Sequence, residues 1–133
     1  MVWELILVFF IGASIGSFLS VIIFRLGKKS GILLGRSECL HCAKILKWYD
    51  LIPLASFLIL RGKCRRCKKS ISRVYPSVEI IAAISFWAYF YFKGFSAGSI
   101  YDLVLISAFI VLVFFDLLYF LVPDKIVLPL IIL

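Results

Sequence analysis

The sequence predicts an all-α integral membrane protein with three complete transmembrane helices, the start of a fourth, and a zinc-ribbon-like cytoplasmic loop between helices 1 and 2. Three observations predict this fold class. Of the 133 residues, 64% are apolar and the mean hydropathy is +1.13, well above the range of soluble domains. The net charge is +8, and 13 of the 15 Lys and Arg residues lie between Arg25 and Arg73. All four cysteines lie in that same segment.

Residues 1–24 are predicted to form transmembrane helix 1. Leu5–Phe24 is a run of 20 residues without a charge, which as a helix is about 30 Å long and crosses the hydrocarbon core. A cleaved signal peptide is the alternative, but its apolar run is usually ~7–15 residues and follows basic residues. Gly12, Gly16 and Ser20 recur every four residues, which predicts a face that packs closely against another helix.

Residues 25–74 are predicted to form a basic loop that carries a metal site. Cys39-x2-Cys42 and Cys64-x2-Cys67 are separated by 21 residues, a spacing typical of four thiolates around one structural zinc ion. Two disulfides or four free thiols are the alternatives, and a reducing cytoplasm disfavours disulfides. Redox chemistry at either cysteine pair stays open. His41 is interpreted as a bystander, because four cysteines already complete the coordination.

One apolar stretch, Leu51–Leu60, interrupts the basic loop. Its ten residues are too few to cross a bilayer, and Pro53 is unfavourable inside a helix. We interpret the stretch either as the small core of the loop domain or as a segment that lies on the membrane surface.

Residues 75–133 are predicted to hold transmembrane helices 2 and 3 and the start of helix 4. Tyr75–Phe92 is the second predicted span and Ser99–Val122 the third, with a turn at residues 94–98 between them. Ile126–Leu133 has only eight apolar residues, which we interpret as the first turns of a fourth helix, so the chain is expected to be a fragment or truncated.

The distribution of charge predicts the orientation. Loops rich in Lys and Arg stay in the cytoplasm, so residues 25–74 are expected inside and residues 93–98 outside, in a multi-pass protein of the inner or plasma membrane. This topology alone explains the net charge, and therefore we expect the lipid bilayer, and no nucleic acid, as a partner.

Asp116 is the candidate for chemistry inside the membrane. It follows thirteen uncharged residues, and an acid in a span costs roughly 2.5–3.5 kcal/mol on insertion scales, so a function is expected. A proton path, a cation site and an aspartic protease are all compatible with it. The protease needs two carboxylates, and the chain has one convincing candidate, so the partner would have to come from another helix. No second buried charge supports the proton path or cation site of a transporter. Asp102 and Asp124 are interpreted as interfacial.

Six stretches in order resemble the type IV prepilin peptidase family, which includes the related competence and type II secretion enzymes. The first three are Gly16-Ser-Phe-Leu19 followed by Arg25, Cys39-x2-Cys42, and Trp48-Tyr-Asp-Leu-Ile-Pro53-x2-Ser56. The last three are Arg61-Gly-Lys-Cys64-x2-Cys67, Tyr75-Pro-x-Val78-Glu79, and Phe115-Asp116 with Val122-Pro-Asp124. The resemblance runs from about Gly12 to Pro129.

The resemblance implies a membrane aspartic endopeptidase that cleaves the leader peptide of prepilins or pseudopilins on the cytoplasmic side. Many such enzymes also N-methylate the new N-terminus with S-adenosylmethionine, in the loop region that contains Gly62. Asp116 matches the first catalytic aspartate, and Cys39, Cys42, Cys64 and Cys67 match the zinc ligands. The sequence departs from the family at Ser20, where Asn is usual, and it contains no Gly-x-Gly-Asp motif for the second aspartate.

The absent motif leads to further expectations. The 133 residues alone are expected to be inactive, because half of the catalytic pair is missing. A non-catalytic zinc-loop adaptor, or a degenerate family member, is the alternative function, and a transporter that uses Asp116 is the third. The apolar stem of a prepilin is expected to dock between helices, and the face formed by Gly12, Gly16 and Ser20 is a candidate place.

Overall fold

The computed structural model describes residues 2–27, 39, 41–96 and 98–120. This part of the chain is helical and contains no β-strand beyond an isolated bridge between Lys63 and Ser70. The α-helices are α1 (Val2–Gly27), α2 (Ala55–Ile59), α3 (Val74–Lys93) and α4 (Ser99–Tyr119), and a 3₁₀ helix covers Trp48–Leu51. The predicted fourth helix, Pro123 and Asp124 lie outside the described residues.

Helices α1 and α3 pack antiparallel along the small residues of α1. A Cβ atom on Gly12 would lie 2.9 Å from Ala83 Cα, and one on Gly16 would lie 2.7 Å from Glu79 Cα, so both positions exclude a side chain. Ser20 on the same face is 1% exposed. The predicted packing face is therefore confirmed, but it is covered by α3, and a prepilin stem cannot dock there.

Helix α4 closes the third side of the core. The buried apolar cluster takes residues from α1, α3 and α4: Leu19, Ile23, Val78, Ala82, Ile110, Val111 and Phe114. At one end of this bundle the rings of Phe24 and Tyr75 stack with their centroids 4.4 Å apart. At the same end a Cβ atom on Gly27 would overlap the ring of Tyr119, so α4 ends against the last residue of α1.

The opposite end of α3 and α4 is held by polar contacts. Gly94, with φ +70°, ends α3 by donating its N–H to Phe90. Asp102 accepts hydrogen bonds from the Tyr89 hydroxyl at 2.6 Å and the Lys93 ammonium at 2.7 Å. The carboxylate predicted to be interfacial therefore joins the first turn of α4 to the last turns of α3.

Two helices of the described chain, α1 and α4, are long and apolar enough to cross a membrane. Helix α3 is not one of them, although its 20 residues extend about 30 Å. Its sequence contains Glu79, Lys93 and several Tyr and Trp residues, which lower its mean hydropathy below that of the other two. Three complete spans are thus not confirmed by composition, and the described chain is an all-helical bundle with two candidate membrane spans.

Candidate metal centre and active site

The four cysteines converge on one point. The Sγ atoms of Cys39, Cys42, Cys64 and Cys67 all lie within 4.8 Å of one another, and the Cys39–Cys67 separation is 3.8 Å. A tetrahedron of sulfur atoms around zinc at ~2.3 Å has edges of about 3.8 Å, whereas a disulfide bond is about 2.05 Å long. All four are free thiols. The cluster could therefore hold a metal such as zinc, and the exposed His41 is not part of it.

Two turns of the same form present the cysteines. In each turn the first cysteine accepts a hydrogen bond from the N–H four residues later: Ala43 to Cys39 at 2.9 Å and Lys68 to Cys64 at 3.0 Å. The N–H of each first cysteine in turn donates to the carbonyl five residues later, at 2.9 Å in both cases. We call these two turns the cysteine knuckles, residues 39–44 and 64–69.

The electrostatics of the cluster favour a cation. Backbone N–H groups of Cys67 and Arg66 lower the pKa of the Cys64 thiol to about 6, although the residue is buried. The Lys69 N–H lowers the pKa of Cys67, but burial and the neighbouring thiols outweigh it and raise that pKa to about 11. A negative charge on one thiolate of the cluster therefore disfavours the loss of a proton from the next thiol. A divalent cation removes this conflict by binding all four thiolates.

The second knuckle is attached to the 3₁₀ helix that precedes α2. Arg65 Nε donates a hydrogen bond to Asp50 Oδ1 at 2.9 Å, and the guanidinium lies 5.1 Å from the centre of the Tyr49 ring. The Asp50 side chain is only 9% exposed. The residues that follow Trp48 in the sequence thus support the cysteine cluster from one side.

Glu79 connects the loop to the helical bundle, and sequence reasoning missed this role. It is 7% exposed on α3, and its Oε2 accepts a hydrogen bond of 2.7 Å from the backbone N–H of Leu54. It is therefore a buried acid of the helical bundle, whereas Asp116 is exposed. The sequence signal that could have indicated this role is a single acid one turn inside a predicted span. Its partner could not be foreseen, because Leu54 has a positive φ of 58° within an apolar stretch.

The apolar stretch predicted at Leu51–Leu60 does not form a core. It contains α2, in which no residue is buried, and Leu58 and Ile59 are 74% and 75% exposed. Of the two interpretations, the core of a loop domain is wrong for this stretch. The ring of Phe57 packs on Gly62, just after the stretch, where a Cβ atom would meet the ring at 2.9 Å and φ is +67°.

Asp116 lies on the outward face of α4, close to the end of the helix. Its side chain is exposed, as are those of its neighbours Val113, Leu117 and Phe120. Its carboxylate makes no hydrogen bond or ion pair with the residues that the structure describes. The backbone carbonyl of Asp116 accepts the N–H of Phe120, which has φ +51° and ends the helix. Asp116 is not among the groups that meet in the cysteine cluster or at Glu79.

Comparison with known proteins gives a consistent result. Residues 10–93 match the family model described as Bacterial Peptidase A24 N-terminal domain. The prepilin leader peptidase/N-methyltransferase of Myxococcus xanthus is 37% identical over 124 residues, 93% of this chain and 37% of that protein. The protein of the same name from Bacillus subtilis is 33% identical over 120 residues, 90% of this chain and 48% of that protein. No solved structure matches the chain.

The chain spans between about a third and a half of the length of the curated relatives it matches. A further relative of the same name, from Vibrio cholerae, is 41% identical over 97 residues, 62% of this chain and 38% of that protein. The family model covers more than half of the chain and includes both cysteine knuckles, α3 and most of α1. The chain therefore belongs to the type IV prepilin peptidase family, of which it carries the bacterial peptidase A24 N-terminal domain.

Proposed function

We propose that this chain is part of a membrane aspartic endopeptidase that removes the leader peptide of type IV prepilins or pseudopilins on the cytoplasmic side. The observation that carries the proposal is Asp116, an acid on the outward face of a candidate membrane span. Less than a tenth of the chain lies outside the region that is similar to the Myxococcus xanthus prepilin leader peptidase, so that region includes Asp116. Ionisable groups at such depth normally face other helices or a water-filled cavity.

Asp116 is proposed to be one of two carboxylates that share the catalytic water. One carboxylate accepts a proton from the water as it attacks the scissile carbonyl, and the other donates a proton to the departing amine. The second carboxylate comes from a segment outside these 133 residues that covers the outward face of α4. An acid exposed on that face fits this arrangement, because burial by a second segment brings the two carboxylates together.

The cysteine cluster is proposed to hold structural zinc. Cys39, Cys42, Cys64 and Cys67 fill all four positions of a tetrahedral ion, which leaves no open position for water or substrate. The ion supplies a cross-link that lets a loop with few large buried side chains keep one conformation. The loop, residues 25–74, is proposed to act as a unit separate from the half of the peptidase domain in residues 75–133.

Helices α1, α3 and α4 are proposed to be three spans, with the basic loop in the cytoplasm. Basic loops remain inside, and α3 is covered by α1 and α4 along its apolar face, which compensates for its lower hydropathy. Cysteine substitutions test the orientation in intact cells. An impermeant maleimide is expected to label Ser96→Cys and to leave Ser72→Cys unlabelled until the cells are opened. Labelling in the reverse order would contradict this orientation and move Asp116 to the outer side.

N-methylation of the new N-terminus is proposed as a second activity, because the relatives are named N-methyltransferases. S-adenosylmethionine would supply the methyl group. This reaction transfers the group to an amine and needs no pair of aspartates. Methyl transfer is therefore expected to continue on a pre-cleaved substrate when Asp116 is replaced by Asn.

The decisive experiment is cleavage of a prepilin by the complete protein in lipid. Asp116→Asn is expected to abolish cleavage and to leave zinc content unchanged, since losing one member of a catalytic pair typically costs as much as losing both. Asp102→Asn is the matched control, because its amide oxygen still accepts the hydrogen bond from Tyr89. Cleavage by Asp116→Asn at the rate of the unsubstituted protein would contradict the proposal. Absence of cleavage by the unsubstituted protein would favour the alternative, a zinc-loop membrane adaptor.

A further inference from the structure

The apolar stretch between the two cysteine knuckles exposes four large aliphatic side chains in the same short segment. Leu51 and Ile52 are 41% and 43% exposed, and Leu58 and Ile59 on α2 are 74% and 75% exposed. We call residues 51–59 the aliphatic segment. Several large aliphatic side chains exposed within one short stretch are characteristic of a surface that contacts a lipid or protein partner.

The position of this segment along the bundle is fixed by one hydrogen bond. The backbone N–H of Leu54 donates to Glu79 at 2.7 Å. Glu79 lies four residues after Tyr75 on α3, about 6 Å further into the bundle, and the Tyr75 ring stacks on Phe24. Phe24 is the last residue of the uncharged run of α1. Leu54, in the middle of the aliphatic segment, is therefore held close to the boundary where the uncharged run of α1 ends, which is where the hydrocarbon core would meet the headgroups.

The residues next to the segment have the charge that this boundary requires. Arg61 and Lys63 follow α2 directly, and both are exposed. Basic side chains attract anionic headgroups by roughly 1 kcal/mol each near a membrane surface. Aliphatic side chains beside Lys and Arg are the composition of segments that lie in the plane of the interface.

We propose that the aliphatic segment is inserted in the cytoplasmic leaflet, parallel to the membrane, with Leu58 and Ile59 among the acyl chains and Arg61 and Lys63 at the lipid phosphates. The proposal rests on the topology given above, in which α3 crosses the membrane and the loop is cytoplasmic. The segment lies between the two knuckles in the sequence. Its insertion therefore holds the metal centre against the membrane surface, on the side where α4 ends and Asp116 lies.

Site-specific photocrosslinking tests this insertion directly. The photoreactive residue p-benzoylphenylalanine replaces Leu58 in the complete protein, which is reconstituted in vesicles of phosphatidylcholine and phosphatidylglycerol. Ile45 is the matched control, because it is also aliphatic, is 57% exposed and lies beside the first knuckle. A second probe at Ile59 covers the case in which the first variant does not fold, and zinc content reports folding in all three variants.

The expected result is a covalent lipid adduct at positions 58 and 59, detected by mass spectrometry of the protein, and none above background at position 45. A crosslink from position 58 or 59 to another protein segment or to a second copy would overturn the proposal. Equal lipid adducts at all three positions would also overturn it. The readout needs no peptidase activity, so a protein that forms the adducts but cleaves no prepilin would contradict only the proposed function.

Discussion

Ala43 and Lys68 occupy equivalent positions in the two cysteine knuckles. Each lies four residues after the first cysteine of its pair, donates its N–H to the carbonyl of that cysteine, and has a positive φ, 50° for Ala43 and 59° for Lys68. The left-handed conformation costs a residue with a Cβ atom roughly 1–2 kcal/mol. Both knuckles therefore carry strain at the same place, and the cysteine cluster is built from two copies of one strained turn.

The strain leads to a first prediction. Ala43→Gly and Lys68→Gly are each expected to stabilise the folded, zinc-bound loop by about 0.5–1 kcal/mol. Glycine adopts positive φ without penalty, and this gain is partly offset by the larger entropy that glycine loses on folding. The measurement is competition for zinc with a chelator. Lys69→Gly is the control, since Lys69 lacks a positive φ and should gain nothing. Weaker zinc binding in both Ala43→Gly and Lys68→Gly would contradict the prediction.

A second prediction concerns the metal itself. Purified protein is expected to contain one zinc per chain, because four thiolates within 4.8 Å form a single site. Cys39→Ser and Cys64→Ser should lose the metal and make the loop sensitive to protease, since metal binding and loop folding are coupled. His41→Ala is the control and should retain a full equivalent. Undiminished zinc in a Cys39→Ser, Cys64→Ser double variant would exclude this cluster as the site.

A third prediction tests the contact between α1 and α3. Gly16→Ala places a methyl group 2.7 Å from the Glu79 backbone and 2.9 Å from Ala82 Cβ, so the helices must separate. We expect a loss of about 1–3 kcal/mol, the usual cost of overpacking. Gly98→Ala is the matched control, because a Cβ atom there meets nothing within 4 Å and φ is −77°. Thermal unfolding in detergent measures both, and equal midpoints would show that the small-residue face is not essential.

A fourth prediction concerns Glu79. Glu79→Ala removes the acceptor for the Leu54 N–H and should cost roughly 1–3 kcal/mol, the range for a donor left without its partner. Glu79→Gln should retain most of this stability, because an amide oxygen can accept the same bond. Hydrogen exchange at the Leu54 amide gives a local readout. Faster exchange in Glu79→Ala only is expected, and unchanged exchange in that variant would mean that the hydrogen bond does not hold the loop.

Several features could be predicted because their signals are local in the sequence. The spacing of the cysteine pairs predicts one cluster, since each pair forms its own turn, and the repeat of Gly12, Gly16 and Ser20 predicts a face for close packing. Pro76 and Gly94 agree with the ends of α3, because one suits a first turn and the other a helix end with positive φ.

Other features depend on contacts between distant residues and could not be predicted in the same way. The outward direction of Asp116 follows from how α4 is rotated against α1 and α3, which residue spacing does not determine. The contact of Glu79 with Leu54 depends on a backbone conformation that a leucine rarely adopts. The exposure of Leu58 and Ile59 depends on where the loop meets the bundle, and apolar composition alone fits both a core and a membrane surface.

The 3.8 Å approach of Cys39 to Cys67 also affects how α1 finds α3. The two cysteines are 28 positions apart, so a metal ion that joined them would more than halve the loop that must close in the unfolded chain to bring α1 to α3. Each halving of a flexible loop lowers the entropy cost of closing it by about 0.6 kcal/mol. Metal supply would then influence how readily α1 pairs with α3, although none of the four cysteines lies on either helix.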